Sequence, residues 1–153
     1  MLRAEDHHTM RRCLLALACL ALATTARAAT APDWASVANV QTIEIRTTDA
    51  DGSPRERTIW LLVHDGQGYI RAGALSKWDA NVDAEPEVSI QIGEVWYGMR
   101  VTRVPEGPLY DAVMAGMREK YGLEDALISP LRMLGGSPRI LRVDPRAGMP
   151  MGR

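Results

Sequence analysis

Cysteine and histidine are nearly absent from the part of this chain that we expect to fold. The chain has two cysteines, Cys13 and Cys19, and both lie in an N-terminal stretch with the pattern of an export signal. From Ala29 onward there is no cysteine, and His64 is the single histidine. This excludes disulfides, cysteine nucleophiles, cysteine-ligated clusters and zinc sites built from cysteine and histidine. We therefore expect the folded domain to be held together by its core alone.

Other absences narrow the function further. From Ala29 the chain carries 14 basic and 17 acidic residues, a net charge of −3, which gives no support for nucleic-acid binding. There is no glycine-rich phosphate loop of the Walker or Rossmann type. The acidic residues of the helical region show no spacing typical of paired-carboxylate catalysis. His64 lies in a tight turn, which indicates a surface residue. Because only His64 could be an imidazole ligand, haem binding is a remote alternative. No residue stands out as a catalytic acid or base.

The N-terminal segment has the pattern of a secretory signal. Residues 10–29 read MRRCLLALACLALATTARAA, which is two arginines, an apolar run and a small-x-small motif. The apolar run is too short to span a bilayer, and we expect no stable span in the mature chain. We assign residues 1–28 as a signal peptide, with Met10 as an alternative start, and expect a periplasmic or secreted protein after cleavage near Ala28. An uncleaved anchor remains the alternative, and Arg11-Arg12 leaves twin-arginine export open beside the general secretory route.

The remaining chain divides into a flexible lead-in at 29–39, one domain at 40–145 and a tail at 146–153. Alternation of apolar and polar residues in VQTIEIRTT and PEVSIQIG is typical of half-buried strands. Asp-Gly pairs between apolar runs predict tight turns and an antiparallel meander. Helical spacing in PLYDAVMAGMREKYG, ending at Gly122, predicts a helix before the final strand PRILRVDP. We predict a mainly β (α+β) domain of six antiparallel strands. A short helix follows the third strand, one or two helices precede the last, and the strands form a small closed or half-closed barrel.

Two candidate binding residues lie on the predicted second strand. Arg57 shares a face with Ile59, and Trp60 lies on the opposite face with Leu62, because side chains two residues apart point the same way. Arg57 is either the solvated end of an apolar face or a cation that reaches an anion at the barrel rim. Trp60 either packs in the core or flanks the plane of a cofactor.

The junction after the third strand carries the other candidates. Ser76-Lys77-Trp78-Asp79 fits a capping box, in which the Ser76 hydroxyl bonds the first-turn amides and Asp79 bonds back to Ser76. A helix would then begin at Ser76, and helix N-termini attract anions. Lys77 adds a positive charge there, and Arg71 lies five residues earlier on the entering strand. The segment is therefore either a plain capped helix or an anion site.

The order of elements and these residues resemble a known superfamily. DGSPRERTIWLLVHDGQGYIRAGALSKWDANVDAEPEVSI is similar to the pyridoxamine-phosphate-oxidase-like FMN-binding split barrels, which include deazaflavin-dependent reductases. The resemblance covers residues 40–104 and implies a six-stranded antiparallel split β-barrel that forms a homodimer. It matches Arg57 to the strand arginine that contacts the FMN phosphate and Lys77 to the first basic residue of the helix start.

The chain departs from the family pattern at three positions. Leu62 stands in place of a lysine, Ala72 in place of a threonine and Trp78 in place of the second basic residue. These changes remove polar contacts and argue against the pyridoxamine oxidase reaction itself.

Two functions follow from the resemblance and its departures. The first is an FMN- or deazaflavin-binding protein, an oxidoreductase of small oxidised compounds, in which the cofactor is bound by Arg57, Trp60, Arg71, Ser76, Lys77 and Trp78. The second is a cofactor-free barrel that binds a small ligand or a partner.

Overall fold

The structure is a computed structural model that describes residues 31–73, 76–132 and 137–146. The signal peptide expected at 1–28 lies outside the described residues, as does most of the tail. Six strands and two helices follow one another as β1 Thr42–Thr48, β2 Pro54–His64, β3 Gln67–Ala72, α1 Lys77–Ala84, β4 Glu87–Ile92, β5 Val95–Arg103, α2 Pro108–Arg132 and β6 Arg139–Pro145. The strands pair antiparallel and close a barrel in the order β1-β2-β3-β6-β5-β4. The predicted six-stranded antiparallel barrel, with its short helix after the third strand, is confirmed.

Tight turns join the hairpins where the sequence predicts them. Between β2 and β3, Asp65 and Gly66 both have positive φ, 49° and 72°. Positive φ at both central positions is the geometry of a two-residue hairpin turn whose twist matches that of the strands. The long helix α2 has a kink at Gly122, whose φ of 43° and ψ of −115° are not helical. The predicted helix end at Gly122 is thus a break between two helical segments.

Alternate strand residues fill the barrel interior. Along β4, Val88, Ile90 and Ile92 are buried and their neighbours are not, which is the period of two that the sequence shows. At one end of the barrel the ring of Trp34 packs beside Gly68, and at the other end Trp78 and Val82 enter from α1. We call the second the α1 end; there β1, β3 and β5 finish and β6 begins. Trp34 is 8% exposed, so the packed domain starts within the expected lead-in.

A second apolar cluster lies outside the barrel, between α2 and the sheet. The strand residues Leu62, Tyr69 and Ile140 face the helix residues Val113, Met117 and Tyr121. The end of this helix segment is bound to backbone carbonyls of the lead-in and of β2. The Lys120 ammonium donates to the oxygens of Ala38, Val40 and Leu61 at 3.0, 2.6 and 2.8 Å. Burial lowers the pKa of Lys120. Among the described residues, no helix is long and apolar enough to cross a membrane.

Candidate functional site

Helix α1 begins where the sequence predicts but is capped differently. Ser76 is the N-cap, with the extended backbone typical of that position, yet its side chain makes no capping hydrogen bond. The amides of Asp79 and Ala80 instead donate to the Ser76 backbone oxygen at 3.1 and 3.2 Å. The predicted capping box is therefore wrong, although the helix start at Ser76 is correct. The Ser76 hydroxyl is half-buried and is not used by the first turn of the helix.

Asp79 fails to close the capping box because it points into the α1 end of the barrel. Its carboxylate is 0% exposed and lies 3.3 Å from Nη1 of Arg103 on β5 and 2.7 Å from Nη2 of Arg139 on β6. Asp83, one turn later, contacts the same two arginines. Desolvation raises the pKa of Asp79, and the two guanidinium groups oppose that shift. The network joins α1 to two strands on the far side of the barrel.

A surface depression of about 380 Å³ lies on the opposite side of α1. One of its lining residues is Asp49, which accepts hydrogen bonds from Nε of Arg55 and Nδ2 of Asn81, both at 2.6 Å. These bonds, together with the nearby charges of Arg55 and Lys77, lower the pKa of Asp49. Lys77 is exposed, is the first residue of α1 and lines the same depression. Two cationic side chains, Arg55 and Lys77, and two carboxylates, Asp49 and Asp51, therefore line one concave surface at a helix start.

Arg57 and Arg55 share a strand face but differ in environment. Arg57 is exposed, and its Nη1 donates to the backbone oxygen of Glu56 at 2.7 Å. It pairs across the sheet with Ile45, near the end of the barrel that α1 covers. Arg55, rather than Arg57, lines the depression with Lys77. Arg57 therefore remains accessible on the same strand but does not form a wall of this depression.

The aromatic candidates are already in contact with the protein itself. The ring of Trp60 stacks on Tyr121, with centroids 4.3 Å apart and an interplanar angle of 5°. The guanidinium of Arg71, a buried residue, lies 5.0 Å from the Trp60 ring centre. Trp78 is 6% exposed and belongs to the barrel core. Of the six predicted site residues, Arg57 and Lys77 are exposed, Ser76 and Trp60 are half-buried, and Arg71 and Trp78 are buried.

Sequence reasoning missed the partners that fix this region: Asp49, Asn81, Arg103, Arg139 and Tyr121. One signal was present for the arginines. Inward positions on β5 run Met99, Val101 and Arg103, and those on β6 run Arg139, Leu141 and Val143. A cation that continues an inward-facing apolar series indicates an internal counter-charge. Within the described ranges no group of three or more potential metal ligands occurs.

The departures from the family pattern have a structural reason. Leu62 is 8% exposed and packs under α2, where a β-carbon at Gly116 would lie 2.9 Å from its side chain. Ala72 is fully buried in the barrel core. A lysine at position 62 would place its charge beneath α2, away from the α1 end. These two positions serve packing in this chain.

Comparison with known proteins identifies the fold class. No protein-family model and no curated protein matches the chain. Solved structures do match. HutZ, the heme storage protein of Vibrio cholerae, is 20% identical over 71% of this chain and 83% of its own, with a TM-score of 0.56. An F420-H2-dependent reductase is 20% identical over 67% and 94%, with a TM-score of 0.52.

A third match comes from the group that the sequence resemblance named. A putative pyridoxamine 5′-phosphate oxidase of Listeria innocua is 14% identical over 73% of this chain and 89% of its own, with a TM-score of 0.55. At identities of 20% or less these likenesses show the fold. The chain is a split β-barrel, and its fold is that of the pyridoxamine-phosphate-oxidase-like superfamily, as its sequence resemblance indicates.

Proposed function

We propose that this protein binds a phosphate-bearing flavin or deazaflavin, with the anionic end of the cofactor at the start of α1. The observation that carries the proposal is the exposed Lys77 at the first helical position, beside a Ser76 hydroxyl that does not cap the helix. Helix N-termini favour anions because their first amides lack intrahelical acceptors. The sequence resemblance supplies a second cation, Arg57, which is exposed on β2. The split-barrel fold, shared with a protein named as an F420-H2-dependent reductase, supports the same assignment.

The predicted site residues suit the phosphate end of such a cofactor better than its ring. Ser76 and Lys77, which are adjacent at the helix start, can hold a phosphate through charge-assisted hydrogen bonds, and the sequence resemblance adds Arg57 to this set. Trp60 and Trp78 do not fit the ring, because Tyr121 and Arg71 contact the first and the barrel core surrounds the second. A bound flavin would supply hydride or electron transfer at its ring, while the protein would supply orientation and phosphate charge. In this proposal the ring lies against other surfaces, including that of a second copy in a homodimer.

The proposal includes a redox role outside the cytoplasm. An oxidoreductase that acts on small oxidised compounds agrees with the chemistry of the cofactor, and export agrees with the signal pattern of residues 1–28. Mass spectrometry of the protein recovered from the expressing cells tests the second part. A mature N-terminus at Ala29 supports export, whereas an intact N-terminus in the cytoplasmic fraction contradicts it.

Cofactor binding is tested first by absorbance and titration. The mature domain from Ala29 is purified, its visible spectrum is recorded, and FMN and a deazaflavin are titrated with fluorescence as the readout. Lys77→Ala and Arg57→Ala should each weaken binding at least tenfold, since a hydrogen bond to a charged group contributes about 1.5–3 kcal/mol. Arg100→Ala is the matched control, because Arg100 is exposed on β5 and its nearest carboxylate, Glu87, is 3.9 Å away. Unchanged affinity in both site variants would show that the phosphate site is misplaced.

A second candidate function is a cofactor-free module that binds a small ligand or a partner. The specific observation in its favour is that Trp60, Arg71 and Trp78 are engaged by contacts within the protein. A colourless mature protein that binds neither FMN nor the deazaflavin supports this candidate over the first.

A further inference from the structure

Helix α1 is held in place by two buried apolar side chains and by a set of polar contacts. It has eight residues, and only Trp78 and Val82 contribute buried apolar side chains. Isolated helices of this length are marginal in water, so tertiary contacts must fix it. The polar side chains provide them: Asp79 and Asp83 contact β5 and β6, and Asn81 donates to Thr47 and Asp49 at the end of β1.

These contacts act from two sides of the helix. The two arginines hold Asp79 from the far side of the barrel, and Asp49 holds Asn81 from the side of the depression. Arg103 and Arg139 remain 35% and 37% exposed, whereas the carboxylate between them is 0% exposed. A buried ion pair often adds little net stability, because the cost of desolvating the charges offsets their attraction. The network can nevertheless define the location of the helix, because it ties α1 to β5 and β6 on one side and to the end of β1 on the other.

We infer that Asp79 is a positioning residue, which fixes the first turn of α1 and thereby holds Lys77 at the proposed anion site. The inference rests on the proposed function, because that function gives the position of Lys77 its significance. Lys77 precedes Asp79 by two residues, which places the two side chains on different sides of the helix. Asp79 thus acts through the backbone of the first turn, without contact to the ligand.

The negative charge of Asp79 allows a test of this inference, because the two possible roles of Asp79 predict opposite changes in anion affinity when that charge is removed. Asp79 is negative, so by electrostatics alone its neutralisation should strengthen the binding of an anion nearby. If Asp79 instead positions the helix, its neutralisation should weaken anion binding. Loss of the ion-pair network would allow the first turn of α1 to move and would separate Lys77 from the bound anion. Asp79→Glu keeps the charge but adds a methylene group, so it should also weaken binding if position is what matters.

The experiment compares FMN affinity in the wild type, Asp79→Asn, Asp79→Glu and Asp83→Asn. Asp83→Asn is the matched control: it removes a charge from the same arginines, but Asp83 is 53% exposed and one turn further from Lys77. We expect a tenfold loss for Asp79→Asn, a threefold loss for Asp79→Glu and less than a twofold change for Asp83→Asn. Equal or tighter FMN binding by Asp79→Asn overturns the inference. If thermal unfolding shows that Asp79→Asn does not fold, the comparison rests on Asp79→Glu, and unchanged binding there overturns it.

A ligand-free measurement separates this inference from the proposed function. Amide hydrogen exchange by NMR should show the Ala80 amide, which donates to Ser76 in the first turn, exchanging at least tenfold faster in Asp79→Asn. The Ile90 amide in β4 should keep its wild-type rate. Equal acceleration at both amides means that Asp79 serves only global stability, which contradicts positioning. If wild-type protein ignores FMN, the proposed function fails, while the exchange data still decide whether Asp79 fixes α1.

Discussion

Replacement of Lys120 by Met should destabilise the domain far more than replacement of the other lysine of the chain. Lys120 donates three hydrogen bonds to backbone carbonyls, whereas Lys77 is exposed. The ammonium is partly desolvated, which offsets part of its hydrogen bonding, and water can reach the half-buried carbonyls of Ala38 and Val40 once it is gone. We therefore expect Lys120→Met to cost about 2–3 kcal/mol of unfolding free energy, within the range for hydrogen bonds to charged groups.

The carbonyl of Leu61 makes this prediction sharper. It accepts from Lys120 and also from the hydroxyl of Tyr121 at 2.6 Å, so either donor can satisfy it alone. Lys120→Met combined with Tyr121→Phe should therefore cost more than the sum of the single changes. The excess should be about 1 kcal/mol, the penalty for a buried carbonyl without a donor.

Urea unfolding followed by circular dichroism measures all of these variants. Lys77→Met is the control and should stay within about 0.5 kcal/mol of the wild type, as is usual for surface substitutions. A Lys120→Met variant equally close to the wild type would refute the stabilising role of the ammonium. Strict additivity in the double variant would refute the shared acceptor.

Two further predictions concern the barrel ends. A β-carbon at Gly68 would lie 2.4 Å from the ring of Trp34, so Gly68→Ala should displace that ring and cost about 1–3 kcal/mol, with a red-shifted tryptophan emission. Gly73→Ala, which meets nothing within 4 Å, is its control and should leave the emission unchanged. Titration followed by carboxyl ¹³C shifts should give Asp79 a pKa above 3.8 and Asp49 one below it. By linkage, the lowered pKa of Asp49 stabilises the folded domain above pH 3.8, and this contribution is lost as pH falls through the folded pKa. The raised pKa of Asp79 acts in the opposite sense: its contribution to stability is complete below pH 3.8 and declines as pH rises through its folded pKa. The reverse order of the two pKa values would contradict the burial of Asp79 between the arginines.

Local rules predicted the parts of the fold that depend on neighbours in sequence. The alternation in β4, the Asp65-Gly66 turn and the interruption at Gly122 follow from side-chain period and backbone freedom, and all three occur in the structure. The start of α1 at Ser76 belongs to the same group. Each of these features is decided within a few residues of the chain.

The environment of the candidate site depends on contacts between distant segments. The letters Ser76-Lys77-Trp78-Asp79 fit a capping box equally well whether Asp79 turns back or inward. Its inward direction is decided by Arg103 and Arg139, which the strand register brings beneath α1. Likewise, only the docking of α2 brings Tyr121 onto Trp60. The sequence pattern could therefore place the candidate residues on their strands and helix. It could not show which of them are already in contact with other side chains of the protein.

The strand order has a consequence for how the chain folds. Strand β6 is the last in sequence, yet it lies between β3 and β5 in the barrel. Its Val143 pairs with Gly68, so this pairing joins residues separated by most of the domain's sequence. Until β6 arrives, β3 and β5 both present unpaired edges, which are the usual starting points for aggregation. Pairings between such distant segments also close slowly, because the entropy of a long loop is lost before any contact compensates for it. We therefore expect closure of the barrel to be the late, rate-limiting event, and nascent chains that lack β6 to require protection from one another.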